Sequence, residues 1–177
     1  MGEKNSNKKP IPYIWLDEDA GQPMLMGEPC LILFSESFAA LRDGVQKLVG
    51  AGAGAILMEV GKSMGLKYAE LTFKRFPELK LLDIETQIHE MCSIILRNSG
   101  WGKIDISYSS TDSNMYKVHL CGHPSGLITK ESDIPMCHLE AGLISGVLEI
   151  LTGTRENIVG FSCKKDDSCC LIDIRSP

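Results

Sequence analysis

Apolar residues recur every three or four positions in four segments of the chain, a spacing that predicts four helices. The first helix is expected to begin at Ser35 or Ser37, either of which can cap it. The second begins near Ala53, with Gly61 and Gly65 close to its predicted end. The small residues between these two helices fit a dinucleotide-binding fingerprint only formally, because a helix rather than a strand precedes them. We interpret them as a helix junction.

The third helix is predicted over residues 83–99, with Asp83 as its cap and Gly100 as its C-terminal stop. The last helix is predicted over about 136–151. Gly142 and Gly146 on it would permit the close approach of another element, since a glycine carries no side chain.

Two later parts of the chain alternate with period two, which is typical of half-buried strands. Strands are predicted from Ile104 to Tyr108 and from Tyr116 to Leu120, with turn-forming residues between them. A second pair runs from Val159 to Cys163 and from Cys170 to Ile174. Helices in one block and hairpins in another predict an α+β fold, with helices packed on an antiparallel sheet of two hairpins.

The 177 residues fit one domain of ordinary size. Residues 1–28 are interpreted as a polar tail and an irregular segment with a short edge strand, and residues 29–177 as a single domain. A net charge of −5 argues against direct nucleic-acid binding. No apolar run is long enough for a membrane helix and no secretory signal is visible, so a cytoplasmic location is expected.

The cysteines near the end of the chain carry the most specific chemical signal. Cys163 and Cys170 face each other across the last predicted hairpin, and Cys137 begins the last helix. Three converging thiolates with a fourth ligand would form a tetrahedral zinc site, and Cys169 is an adjacent candidate. Buried unreactive thiols and redox-active thiols remain alternatives. Position at a helix N-terminus is expected to lower the pKa of the Cys137 thiol.

Several short motifs resemble the 4-vinyl reductase (4VR) domain, in matching order from about Pro29 to Ile174: residues 52–65, 100–102, 135–138 with Gly142, and 163–174. The resemblance implies an α+β domain related to TRAPP-type trafficking subunits and haem NO-sensing domains. It also implies a small-molecule or hydrocarbon sensor that forms a homodimer.

In aromatic sensors of this family, zinc is held by three cysteines and a glutamate. The resemblance assigns the cysteines to Cys137, Cys163 and Cys170, but Gly160 stands where the glutamate is expected. The fourth ligand is therefore expected from His138, Cys169, Glu156 or water.

These observations predict a stand-alone, sensor-like binding domain with a structural zinc site, which signals through a partner protein. Its ligand would be a small apolar or aromatic molecule in a pocket between the helices and the sheet. Candidate lining residues, each of which also fits a plain core position, are Trp101, Met91, Ile95, Tyr116 and Phe73. A cysteine-based redox switch is the first alternative. A role in tetrapyrrole metabolism is the second, although no nicotinamide or flavin motif and no catalytic residue set supports an enzyme.

Overall fold

The computed structural model describes residues 14–25, 27–109, 114–125, 137–164 and 169–176. Contacts within the chain divide it into two units, the first ending at Leu33 and the second beginning at Phe34. The two are described separately.

The first unit contains a small antiparallel sheet of three strands in the order β1-β2-β3. The strands are β1 (Ile14–Asp17), β2 (Gln22–Leu25) and β3 (Glu28–Pro29). In the turn between β1 and β2, the Asp17 carboxylate accepts two backbone N–H groups, and Gly21 has a φ of +65°. The expectation of an irregular segment with one edge strand was therefore wrong, because local turn chemistry closes a complete hairpin here.

The second unit begins with helices and short 3₁₀ turns. In chain order these are α1 (Ser35–Val49), a turn at Gly50–Gly52, α2 (Ala53–Arg75), a turn at Pro77–Leu81, α3 (Ile84–Ile88) and a π-helical continuation at His89–Trp101. The helix junction predicted between α1 and α2 is confirmed.

The helix caps differ in how well they were predicted. Asp83 caps α3 as predicted, since its carboxylate accepts the backbone N–H of Thr86 at 2.9 Å. Neither predicted serine caps α1, because the N-cap residue is Phe34 and no side chain bonds to the helix end. Gly100 lies next to the predicted C-terminal end, with a φ of +90°.

The sheet of the second unit has four antiparallel strands in the order β4-β5-β7-β6. They are β4 (Lys103–Tyr108), β5 (Met115–Cys121), β6 (Asn157–Lys164) and β7 (Cys169–Arg175). Both predicted hairpins are present, and pairing of β5 with β7 joins them into one sheet. The predicted α+β class is confirmed.

The last helix, α4 (His138–Thr152), crosses α2 with the two backbones in direct contact. A Cβ atom added at Gly142 would lie 2.0 Å from the carbonyl oxygen of Met58, and one added at Gly61 would lie 2.0 Å from that of Leu139. The predicted close approach at α4 is confirmed. The expectation that α2 ends near Gly65 was wrong, because packing against α4 buries these glycines and the helix continues to Arg75.

Every residue of α4 from Leu139 to Leu148 is buried, so this helix forms the centre of the unit. The alternate residues Cys170, Ile172 and Ile174 of β7 are buried as well. Among the described residues, no helix combines the length and the apolar character needed to cross a membrane.

Candidate metal centre

Three cysteine thiols meet where the start of α4 approaches the hairpin of β6 and β7. The sulfur atoms of Cys137, Cys163 and Cys170 all lie within 4.8 Å of one another. The Sγ atoms of Cys137 and Cys163 are 3.2 Å apart. Cys137 and Cys170 are buried and Cys163 is half-buried. The structure therefore brings together the three cysteines selected from the sequence, and this group can hold a thiophilic metal ion.

Strand register accounts for two of these positions. Cys163 stands directly opposite Cys170 in the β6–β7 pairing, and side chains at opposed positions project from the same face. Cys137 immediately precedes α4, and its carbonyl oxygen accepts the first hydrogen bond of that helix, from Ala141. The third thiol is therefore fixed by the position of α4.

In the absence of a cation the environment favours neutral thiols. Hydrogen bonds with Cys163 and Cys170, together with burial, raise the pKa of Cys137 far above its ordinary value. The helix N-terminus does not lower that pKa as the sequence predicted, because crowding of the three thiols and burial outweigh it. For Cys170, the hydrogen bond from Cys137 lowers the pKa, but the bond with Cys163 and burial outweigh it and raise the value to about 12. A metal ion would reverse this preference by binding thiolates, so its binding must release protons.

A buried histidine and a buried glutamate extend the cluster. The Nε2 atom of His123 lies 3.4 Å from the Cys170 sulfur, and its Nδ1 atom lies 3.1 Å from Oε1 of Glu140. The same carboxylate oxygen accepts the backbone N–H of Ser125 at 3.0 Å. Histidine and glutamate are each only 1% exposed.

Sequence reasoning missed this pair, although one signal for it was present. Cys137 and Glu140 are three positions apart at the start of a helix, so they lie on the same side of it. His123 follows β5 by two residues, and Leu120 of that strand is paired with Cys170. The helix spacing could thus have pointed to Glu140, whereas His123 reaches the cluster only through the pairing of β5 with β7.

The residues expected to supply a fourth ligand lie elsewhere. Cys169 neighbours Cys170 in β7 and therefore points to the opposite face, where it forms a disulfide with Cys121. Neither that bond nor Cys121 was expected from the sequence. His119 lies on the same outer face, with Nε2 3.4 Å from the Cys121 sulfur.

Glu156 is buried beyond the far end of α4, where it accepts hydrogen bonds from the hydroxyl groups of Thr152, Thr154 and Ser176. The fifteen residues of α4 span about 22 Å, so Glu156 cannot reach Cys137. This candidate was wrong.

Packing contacts surround both His138, the remaining candidate ligand, and Gly160, the position where the resemblance expects a glutamate. The ring of His138 lies 5.1 Å from that of Phe161 and covers Gly54 of α2. Gly160 stands opposite Asp173, and a Cβ atom there would lie 3.2 Å from the Asp173 carboxylate.

The five candidate pocket residues have different surroundings. Met91 and Tyr116 are buried in the core. Trp101 is half-buried with its ring edge-on to that of Phe38, and Phe73 is half-buried beneath the Lys80 ammonium group. The side chain of Ile95 lies outside the described residues.

One cleft of about 230 Å³ is lined by Glu85, Ile88 and His89 of α3 and its continuation, together with the end of β4. Another of about 200 Å³ lies between α2, α4 and the start of β6. None of the four candidates whose side chains are described lines either cleft.

Burial disfavours ionisation of the Cys92 thiol. This residue is fully buried, and burial raises its pKa to about 12. The prediction that it acts as a small apolar core residue is therefore supported by its position.

No protein-family profile matches the sequence, and no curated protein matches it in a sequence comparison. Comparison with solved structures gives clear matches. The phenol-responsive sensory domain of the transcription activator PoxR, solved with phenol, matches with a TM-score of 0.70 and 17% identity over 92% of this chain and 84% of that one.

Subunit 3 of the trafficking protein particle complex from Naegleria fowleri, covalently bound to palmitic acid, gives a TM-score of 0.63 and 13% identity over 81% and 92% of the two chains. A vinyl-4-reductase family protein from Methanocaldococcus jannaschii gives a TM-score of 0.52 and 14% identity over 86% of each chain. The relationships predicted from the sequence motifs are thus confirmed at the level of the fold. The chain has the 4VR-like fold that these sensory, trafficking and vinyl-4-reductase proteins share.

Proposed function

We propose that the chain is a small-molecule-binding, sensor-like domain whose fold is held together by a structural zinc ion. The observation that carries this proposal is the group formed by Cys137, Cys163 and Cys170, which come from three separate elements. Three thiolates are a ligand set that zinc favours, and burial is typical of a closed structural site rather than a catalytic one. The ion would tie the start of α4 to β6 and β7.

The fold supports binding of a small apolar molecule. One structure with this fold contains phenol and another contains palmitic acid. We propose that the ligand of this chain binds between the helices and the sheet, where Trp101, Met91, Ile95, Tyr116 and Phe73 would have to open a pocket to contact it. The sensed state would pass to a partner protein.

The helices also support a homodimer. Ile56, Val60 and Met64 of α2 are each 39–45% exposed and recur every four residues, and Leu41 and Leu48 of α1 are more exposed still. Burying such a stripe against a second copy would remove apolar surface from water, so we assign these helices to a symmetric interface.

Zinc content tests the metal part of this proposal. Protein purified without chelators should contain one zinc ion per chain, and Cys137→Ser, Cys163→Ser or Cys170→Ser should each abolish it. Cys30→Ser and Cys92→Ser are matched controls that should retain the metal. A wild-type chain with no zinc, and with Cys137 and Cys163 joined in a disulfide, would contradict the metal site.

Thermal unfolding with phenol or palmitic acid tests the ligand part. A molecule that binds only the folded chain raises the melting temperature as its concentration exceeds the Kd. Trp101→Ala should reduce the shift, whereas Trp15→Ala, in the first unit, should not. Absence of any shift with either probe, together with no co-purified molecule in native mass spectrometry, would contradict the apolar pocket.

A redox switch is the second candidate. It is favoured by the 3.2 Å separation of the Cys137 and Cys163 sulfur atoms. A peroxide or disulfide oxidant would take two electrons while the two thiols lose two protons and form one S–S bond. This function requires little zinc in the purified chain and the loss of two free thiols after mild oxidation.

A further inference from the structure

We propose that His123 supplies the fourth ligand of the zinc site through Nε2, and that Glu140 holds its imidazole in place. The inference rests on the zinc site proposed above and adds two residues that the cysteine pattern does not indicate. It replaces the family glutamate, whose position is Gly160, with a histidine from the loop that follows β5.

The separation of donor atoms supports this assignment. In a tetrahedral site with ordinary Zn–S and Zn–N bond lengths, sulfur and nitrogen ligands are about 3.6 Å apart. Nε2 of His123 and the Cys170 sulfur are 3.4 Å apart. His123 lies outside the group of atoms that are all within 4.8 Å of one another. Closing the coordination sphere therefore needs a small shift of the ring or of a thiol rotamer.

The second nitrogen of the ring is already held by a partner of the right kind. A zinc-bound histidine ordinarily donates its other N–H to a carboxylate, carbonyl or water, which fixes the tautomer and makes the ligating nitrogen more basic. Glu140 Oε1 lies 3.1 Å from Nδ1 of His123. With the proton on Nδ1, the lone pair of Nε2 points toward the cysteine cluster.

Burial of Glu140 points to a cation nearby. Its Oε2 atom is buried and has no hydrogen-bond partner among the described residues. A buried carboxylate is costly unless positive charge or donors compensate it. The first turn of α4 supplies part of that charge. A metal-bound imidazole donating to the same carboxylate would supply more.

X-ray absorption on the zinc-loaded full chain tests the ligand set directly. We expect three sulfur ligands and one nitrogen ligand with the scattering pattern of an imidazole. In His123→Asn the imidazole signal should disappear, and chelator competition should show at least a 100-fold loss of zinc affinity. His119→Asn is the matched control, because this histidine lies on the outer face of β5, and it should change neither readout.

Two further variants keep the test decisive. His123→Cys should retain one zinc ion with four sulfur ligands, and its cobalt(II) derivative should show stronger sulfur-to-metal charge transfer than the wild type. Glu140→Gln should retain the ligand set while zinc affinity falls 10- to 100-fold.

The outcomes separate this inference from the zinc site itself. A wild-type chain without zinc overturns both. Zinc with three sulfurs and no imidazole, or an imidazole signal that persists in His123→Asn, overturns only the assignment of His123 and leaves the three cysteines as ligands.

Discussion

The glycine contact between α2 and α4 predicts that one added methyl group will destabilise the chain strongly. In Gly142→Ala the new Cβ atom would lie 2.0 Å from the carbonyl oxygen of Met58, whereas real Cβ atoms essentially never approach within 3.0 Å. The obstacle is backbone and cannot rotate away. One helix must therefore move by about 1 Å, and the contacts along the crossing loosen with it.

The expected magnitude follows from two opposing effects. Overpacking a well-packed core typically costs about 1–3 kcal/mol, and a collision with fixed backbone lies at or above the top of that range, at about 3–4 kcal/mol. Alanine regains about 1 kcal/mol because it favours the helix more than glycine does. We expect a net loss of about 2–3 kcal/mol in the free energy of unfolding. For a chain of this size that lowers the melting temperature by about 5–10 °C.

Gly44→Ala is a matched control, because Gly44 lies inside α1 and a Cβ atom there meets nothing within 4 Å. The same chemical change should raise the stability there by about 0.5–1 kcal/mol. Urea or thermal unfolding of both variants measures the two effects. If Gly142→Ala melts at or above the wild-type temperature, the direct backbone contact between α2 and α4 is wrong.

Three other outcomes are expected. Cys169→Ser should retain zinc, since this residue points away from the cluster; loss of the metal would show that β7 is misregistered. Lys62→Gln should cost up to about 1 kcal/mol at pH 7, because Lys62 lies 2.6 Å from Glu149 and lowers its pKa. The ion pair stabilises the fold fully at pH values above the pKa of Glu149 in the unfolded chain, about 4.3. This stabilisation is lost as the pH falls through the lower pKa of the folded chain, so plots of stability against pH for the wild type and the variant should converge in acid. Light scattering should give a dimer at micromolar concentration, and a monomer would remove the proposed role of the apolar stripe.

The local sequence pattern was sufficient to predict the two hairpins in the sheet of the second unit. Alternation at Cys170, Ile172 and Ile174 predicts which face of β7 is buried, because a strand with one buried face has period two. The same alternation predicts that Cys163 and Cys170 share a face. The site could be found from the sequence to this extent.

The length of α2 and the first unit were missed for different reasons. Gly65 resembles a helix end by local propensity, but contact with α4 outweighs that propensity. The strands from Ile14 to Pro29 are only two to four residues long, and two prolines lie within them. Such short runs give almost no periodic signal.

The proposed fourth ligand depends on contacts that no local pattern contains. His123 belongs to a loop, and only the pairing of β5 with β7 brings it to Cys170. Glu140 resembles an ordinary acidic residue in the first turn of a helix until its burial is known. Three of the five residues at the centre could therefore be predicted from the sequence, and the other two required the tertiary structure.

The proposed metal centre and the glycine contact both involve α4, so we expect them to be thermodynamically coupled. Cys137 precedes the helix and Gly142 lies little more than one turn along it, so a shift at Gly142 moves the first sulfur ligand. If the shift weakens zinc binding tenfold, linkage requires saturating zinc to stabilise the variant about 1.4 kcal/mol less than the wild type. The destabilisation by Gly142→Ala should therefore be larger in zinc than in chelator. If Gly142→Ala lowers the free energy of unfolding equally in zinc and in chelator, the glycine contact and zinc binding are not coupled through α4.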